Sequence, residues 1–213
     1  MWRPSTRSGG PLAVVGALCL LGAMLPLGVW PTPRPGDSYV FDPAPFSAVW
    51  AQRVVVPALT VSANVLVLAG LYALYRRDGP TMPDWQRWTA QVTLLAALVW
   101  LFGTALVTSA GPNDIVGGVY GGLLAVLSLL IIVPGLVAWG GGYLRSGQVR
   151  LGAALAGGPS LTALYVGVSL SGVDFDPAGG LLLAVPTAAM AALVGYNLWV
   201  VTTSPINDHR AES

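Results

Sequence analysis

The feature that most constrains this chain is a series of six apolar runs, each long enough to cross a bilayer as a helix. The runs are 11–30, 54–75, 89–110, 115–139, 151–171 and 180–202, and none of them contains Asp, Glu, Lys, Arg or His. About 20 apolar residues in a helix span the hydrocarbon core of a membrane. The pattern therefore predicts an all-α, polytopic membrane bundle of six transmembrane helices.

The composition supports the same class of protein. Of the 213 residues, 54% are hydrophobic and only 9% are charged. Soluble domains are about 25% charged, so this chain has too little polar material to cover a water-soluble globule of its size. The one cysteine, Cys19, cannot pair within the chain, which excludes a disulfide framework and a cysteine metal cluster. No basic stripe in the sequence indicates a nucleic-acid partner.

The basic residues, all of them arginine, divide unequally between the two ends of the runs. If the runs alternate across a bilayer, eight of the ten arginines fall on one side, and only Arg34 and Arg53 fall on the other. The positive-inside rule makes the side with eight arginines cytoplasmic. The sequence thus predicts a multi-pass cell-membrane protein in contact with the lipid bilayer. Cytoplasmic tails at 1–10 and 203–213 flank a membrane domain at 11–202.

Two similar stretches resemble helix starts at the outer membrane surface. The tetrapeptide Phe-Asp-Pro-Ala occurs at 41–44 and again at 175–178, each time before an apolar run. Aspartate favours the cap position and proline the first turn of a helix, so the outer loop 31–53 is predicted to contain an interfacial helix start. The first run, 11–30, is predicted to be a retained helix because no A-x-A cleavage site follows it.

The chemistry of most membrane enzymes is missing from the runs. Ionisable side chains within membrane segments mark proton relays and ion pathways, and the single histidine, His209, lies in the C-terminal tail. The sequence therefore predicts no enzyme, no catalytic residue, no cofactor and no metal site. The outer aspartates Asp42, Asp114, Asp174 and Asp176 are candidates to gather a hard cation, but we favour solvated helix caps because such acidic pairs are common.

One polar pair lies well inside an apolar run. Asn64 stands near the middle of 54–75, and Thr60, four residues earlier, shares its face of a helix. The two side chains either line a polar pocket or form hydrogen bonds with another helix. We favour the second interpretation, since polar side chains commonly bond across membrane helices and an unpaired amide is costly in hydrocarbon.

A glycine cluster opens the run 115–139. Gly117, Gly118, Gly121 and Gly122 form two overlapping G-x-x-x-G pairs. Such pairs let another helix backbone approach closely. They predict a helix-packing surface, either within the bundle or between copies in a homo-oligomer, and we favour the first.

The overall pattern resembles the small multi-pass membrane proteins of halophilic archaea whose activity is uncharacterised. The resemblance rests on short spans, on arginine without lysine, on the stretch 41–44 and on the glycines 117–122. It implies a six-helix membrane fold and brings no activity or catalytic residue with it.

Three functions are compatible with these observations. The first is a non-enzymatic helical scaffold or accessory subunit that binds a membrane-protein partner through its helix surfaces. The alternative is a small permease or channel for a neutral or weakly polar solute, with the prolines 57, 134, 159 and 186 bending its helices. A lipid-modifying enzyme that uses Asp174 and Asp176 ranks third.

Overall fold

The computed structural model of the chain describes residues 6–29, 50–109, 116–170 and 179–203, and six α-helices account for nearly all of them. These ranges contain no β-strand, so the all-α prediction is confirmed there. Each helix overlaps one of the six apolar runs. The helices are α1 (Thr6–Val29), α2 (Val56–Asp78), α3 (Asp84–Ser109), α4 (Gly121–Arg145), α5 (Val149–Leu170) and α6 (Gly179–Thr203).

Several helices continue beyond the apolar runs at one end of the molecule. α2 runs through Asp78 instead of ending at Tyr75, and α4 runs through Arg145, six residues past Trp139. Hydropathy underestimates such ends because long polar side chains can reach water while the backbone stays helical. The glycines 140–142, which lie just beyond the apolar run 115–139, are part of α4.

We call this end of the bundle the arginine end. The α2–α3 and α4–α5 connections lie at this end. The start of α1 and the end of α6 lie there too, because Gly9 of α1 faces Ala73 of α2, and Gly10 of α1 faces Gly195 of α6. Its arginines with described side chains are Arg76, Arg77, Arg87, Arg145 and Arg150.

The α4–α5 connection is a Schellman turn centred on Gly147. The Gln148 N–H donates to the Tyr143 carbonyl at 2.9 Å, and the Gly147 N–H donates to the Leu144 carbonyl at 3.2 Å. Gly147 has a φ of 83°, which glycine adopts without steric cost. The turn therefore reverses the chain in three residues and makes α4 and α5 antiparallel neighbours.

The six helices close into a ring in chain order. Each helix packs against the next, and α1 also packs against α6. The contact between α2 and α3 is much thinner than that of the other neighbours, although a connection of only five residues joins the two helices. The ring therefore has one thin place, which we call the α2/α3 seam.

Three of the helix pairs cross at glycines that face each other. The pairs are Gly10 with Gly195 (α1 and α6), Gly103 with Gly121 (α3 and α4), and Gly140 with Gly152 (α4 and α5). In each pair, a Cβ added to either glycine would lie 2.6–2.9 Å from the carbonyl oxygen of the other. Missing side chains let the backbones approach this closely, as at small-residue interfaces between membrane helices.

The largest fully buried side chains lie toward the arginine end. Trp139, Leu74, Leu155 and Leu198 are all 0% exposed and come from α4, α2, α5 and α6. They belong to one hydrophobic cluster. This layer fills the centre of the bundle between four helices, about two turns or less from the ends of α2, α4 and α6.

The prolines inside the helices do not interrupt them. α4, α5 and α6 are each continuous through Pro134, Pro159 and Pro186. Pro159 therefore lies inside α5 without breaking it. Gly158 instead provides room for the α6 backbone, because a Cβ there would lie 2.9 Å from the Pro186 carbonyl oxygen.

Three segments are long and apolar enough to cross a membrane: Val56–Thr81, Asp84–Val107 and Gly117–Arg145. Two shorter apolar segments are Gly9–Met24 and Ala184–Val200. Many large apolar side chains point outward, among them Leu130 and Leu164, which are 67% and 64% exposed. Such a surface suits a hydrocarbon solvent and not water.

Several sequence predictions fall outside the described residues. They concern most of the outer loop 31–53, both Phe-Asp-Pro-Ala stretches, the aspartates 42, 114, 174 and 176, and the tail from residue 204 onward.

Candidate functional site

A polar cluster joins α2, α4 and α6 at the arginine end. The Arg77 guanidinium donates through Nε and Nη2 to the two carboxylate oxygens of Asp78, at 2.5 and 2.8 Å. Its Nη1 and Nη2 both donate to Asn197 Oδ1 at 3.1 Å. The Tyr143 hydroxyl donates to Asp78 Oδ2 at 2.7 Å. Four side chains from three helices thus share one hydrogen-bond network.

The end of α2 determines which arginine enters the cluster. Adjacent residues point about 100° apart around a helix, so Arg76 is exposed while the Arg77 side chain is only 16% exposed. The Asp78 carbonyl ends the helix by accepting the Thr81 hydroxyl at 2.9 Å and the Met82 N–H at 3.1 Å. A cation is favourable at such a helix C-terminus, where unpaired carbonyls point outward.

The electrostatics of the cluster favour a structural role. Hydrogen bonds between charged groups are stronger than neutral ones, and Asp78 is only 17% exposed, so water and salt screen this ion pair less than a surface pair. Removing one partner of a largely buried pair leaves the other charge uncompensated. The network therefore fastens the ends of three helices that are far apart in sequence.

A cleft of about 710 Å³ opens beside this cluster. Its walls are the end of α2, the α4–α5 turn, the first turn of α5 and the end of α6. The lining residues are Arg77, Asp78, Gly147, Gln148, Val149, Arg150, Leu151 and Asn197. Both Asp78 oxygens already accept hydrogen bonds, while Arg150 and the N–H groups of the first helical turn remain available as donors.

The lining side chains of the cleft are charged, amide-bearing or apolar. Among the described residues that line it there is no serine, cysteine or histidine, and the one carboxylate, Asp78, already accepts hydrogen bonds from Arg77 and Tyr143. In the part of the chain that the structure describes, no group of three His, Cys, Asp or Glu side chains could hold a metal ion.

A second buried polar contact involves Gln86 in α3. This side chain is 4% exposed, and its Nε2 donates to the Trp139 carbonyl at 3.1 Å. Its amide occupies the space where a Cβ on Gly142 would lie. The contact ties α3 to α4 at the level of the buried layer. The indole Nε1 of Trp139 is buried and has no hydrogen-bond partner, which is a cost of placing a tryptophan at the centre of the bundle.

The structure places Thr60 and Asn64 on one face of α2, both partly buried. The amide nitrogen of Asn64 is buried and has no hydrogen-bond partner. The interhelical hydrogen bond that we favoured from the sequence is therefore not made by this nitrogen. The adjacent Ala63 is fully buried, and its carbonyl oxygen would lie 3.1 Å from a Cβ added at Gly16 of α1.

The four glycines of the 115–139 run divide between two surfaces. Gly121 packs inside the bundle, because a Cβ there would lie 2.9 Å from both Gly103 O and Leu106 Cβ of α3. Gly117 is also buried. At Gly118 and Gly122, an added Cβ would meet no atom of another element within 4 Å in the ranges that the structure describes. The two overlapping pairs thus do not act as one packing surface.

Sequence reasoning missed the residues of the polar cluster. Arg77 and Asp78 lie beyond the apolar run 54–75, and Asn197 lies inside the run 180–202, so no pattern singled them out. The available signal was the pair of unlike charges next to an apolar run, together with an asparagine one turn from the end of another run. Neither signal shows that the two sites meet, since they are 120 residues apart.

The fold and this site define an α-helical bundle of the membrane-protein type, closed at one end by a polar cluster. No protein-family model, curated protein or solved structure matches the chain.

Proposed function

We propose that the chain is a six-span cell-membrane protein with both termini in the cytoplasm, and that it acts as a non-enzymatic helical scaffold or accessory subunit. The observation that carries the scaffold role is an open glycine surface formed by Gly118, in the π-helical turn Val116–Tyr120, and Gly122, in the first turn of α4. A Cβ added at either glycine would meet no atom of another described element within 4 Å, although glycines at this spacing are suited to close helix contact.

The arrangement of the helix ends supports the proposed topology. Five arginines lie at the arginine end, while the π-helical turn Ala51–Val55 at the opposite end contains only Arg53. Positive charge collects on the cytoplasmic side of membrane proteins. A ring of six antiparallel helices then puts the start of α1 and the end of α6 on that same side.

The filled interior of the bundle supports a role that does not require the helices to move between open and closed states. The fully buried layer of Trp139, Leu74, Leu155 and Leu198 fills the centre of the bundle, and the polar cluster and the glycine crossings hold the helices together around it. A protein that alternates between open and closed states needs elements that can move past one another. Here the arginine end is fastened by side chains from α2, α4 and α6.

The glycine surface can be tested with matched leucine substitutions at its two glycines. Gly118→Leu together with Gly122→Leu is expected to release the protein from its native assembly, measured by native mass spectrometry in mild detergent, without lowering the melting temperature. Gly141→Leu is the control, because Gly141 also has open space but lies about 100° around the helix from Gly122. An assembly unaffected by the double substitution, or affected equally by the control, contradicts the scaffold role.

The alternative function is a permease for a neutral or weakly polar solute, and the unpaired Asn64 amide favours it. A buried donor without a partner costs about 1–3 kcal/mol, which binding of a solute carbonyl or hydroxyl would offset. Liposome flux with wild type and Asn64→Leu separates the two functions. Solute flux that this substitution abolishes would replace the scaffold proposal with a permease.

A further inference from the structure

The α2/α3 seam contains an apolar groove of about 280 Å³. Every side chain that lines it is apolar apart from one tyrosine hydroxyl. The lining residues are Val65, Leu68, Ala69 and Tyr72 of α2 and Leu94, Leu98 and Leu101 of α3. On each helix the lining spans eight residues, which are separated by seven steps of about 1.5 Å, so the groove is about 10 Å long. It occurs where the ring of helices has its thinnest contact.

The groove is too small to enclose a helix, and its narrow apolar lining suits a hydrocarbon chain. An α-helix with side chains is about 10–12 Å wide and rises about 5.4 Å per turn, so one turn occupies roughly 500 Å³. The groove of about 280 Å³ has room for side chains from one face of a helix but not for the helix itself. A single unbranched chain is narrow enough to lie along it, between Ala69 on one helix and Leu98 on the other.

The helix faces that line the groove continue to two arginines. On α2, Arg76 is four residues beyond Tyr72, and on α3, Arg87 is seven residues before Leu94. Residues at these spacings share a helix face. Between the groove and the arginines, the Gln91 amide donates to the Tyr75 hydroxyl at 2.6 Å and bridges the two helices. The seam thus changes from apolar groove to polar bridge to cationic end.

The cationic end has the properties of a headgroup site. Arg76 is exposed, and the Arg87 side chain, which pairs with Asp84, is 42% exposed. Trp85 and Trp88 lie in the same first turns of α3 and are 43% and 67% exposed. Tryptophan prefers the headgroup layer of a bilayer, and basic residues between helices on the cytoplasmic side attract anionic headgroups.

We propose that the α2/α3 seam binds one anionic phospholipid, with a hydrocarbon tail in the groove and the phosphate between Arg76 and Arg87. This inference rests on the membrane embedding proposed above, but not on the scaffold role. The lipid fills the thin contact of the ring and completes the packing between α2 and α3.

The test is native mass spectrometry of the full chain purified from vesicles that contain equal amounts of phosphatidylglycerol and phosphatidylcholine. Wild type is expected to retain one lipid and to prefer phosphatidylglycerol. Arg76→Gln with Arg87→Gln is expected to reduce that preference about 30-fold, since each basic residue near an anionic surface contributes about 1 kcal/mol. The control is Arg150→Gln, which removes one charge from the same end of the bundle at a residue that lines the cleft beside the polar cluster and not the seam.

A second variant pair tests the tail site. Leu98→Trp fills the groove and is expected to abolish retention of both lipids. Leu130→Trp is the control, because Leu130 is equally apolar and 67% exposed but lies outside the groove. Melting temperature and elution volume report whether each variant is folded.

Two results overturn the proposal. One is a loss of preference in Arg150→Gln that matches the loss per arginine in the Arg76 and Arg87 variant, which would show a general charge effect. The other is retention of lipid by Leu98→Trp at the wild-type level. Failure of the membrane embedding itself is recognised separately, because the protein would then leave the vesicles in alkaline carbonate without detergent.

Discussion

Replacing Gly140 by alanine tests whether the glycine crossings hold the bundle together. A Cβ at Gly140 would lie 2.7 Å from the Gly152 carbonyl oxygen and 2.8 Å from the Ala156 nitrogen. Both are backbone atoms, so α5 as a whole must move away. The adjacent Gly141 has open space on the same helix, and Gly141→Ala is therefore a control that differs by one position.

The difference in stability between the two variants isolates the free-energy cost of overpacking at Gly140. Both substitutions gain about the same helix propensity, close to 1 kcal/mol over glycine, and this gain cancels in the difference. Overpacking a tight site costs about 1–3 kcal/mol, and the upper part of that range applies because no flexible side chain can yield. Gly140→Ala should thus be about 2–3 kcal/mol less stable than Gly141→Ala.

Thermal unfolding in a mild detergent measures this difference. About 1 kcal/mol shifts the melting temperature by roughly 2–4 °C in a chain of this length, so the two variants should differ by roughly 4–12 °C. Gly141→Ala should melt at or above the wild-type temperature. Equal melting temperatures for the two alanine variants would refute the close contact between α4 and α5 as a source of stability.

Two further predictions concern the arginine end. Asp78→Asn should lower the free energy of unfolding by about 1–3 kcal/mol because it weakens a largely buried network. Asp84→Asn, which changes an exposed pair, should lower it by no more than about 1 kcal/mol in the same unfolding assay. Equal losses in the two variants would contradict a stabilising role for the cluster. The second prediction tests the topology with Gln148→Cys in a Cys19→Ala background. This cysteine should react with an impermeant maleimide in inverted membrane vesicles and stay unlabelled in intact cells, because the proposed topology places residue 148 in the cytoplasm. The opposite labelling would reverse the proposed topology.

The apolar runs predicted the helices and their approximate positions, but they did not predict where each helix ends. Each run overlaps a helix because a long uncharged segment in a bilayer must satisfy its own backbone hydrogen bonds. The end of α2 was missed because Arg77 and Asp78 look like loop residues to any measure of hydropathy. They stay helical because Tyr143 and Asn197 satisfy their polar groups, and these partners come from other helices.

The glycines 117–122 also show what the sequence could predict and what it could not. The spacing of the residues 117–122 predicted close packing but could not assign a partner. In the structure Gly121 faces Gly103, whereas Gly118 faces open space. Positions three residues apart point in directions about 60° apart on a helix, and only the placement of α3 decides which of them is covered.

The sequence by itself determined the class, the number of helical segments and the unequal distribution of arginine, because these depend on composition and on the length of apolar runs. The tertiary structure alone decided which polar groups meet. Arg77 and Asn197 are 120 residues apart, and no local pattern carries their contact. It arises because six helices close into a ring, which brings the ends of α2, α4 and α6 together around the buried Trp139 layer.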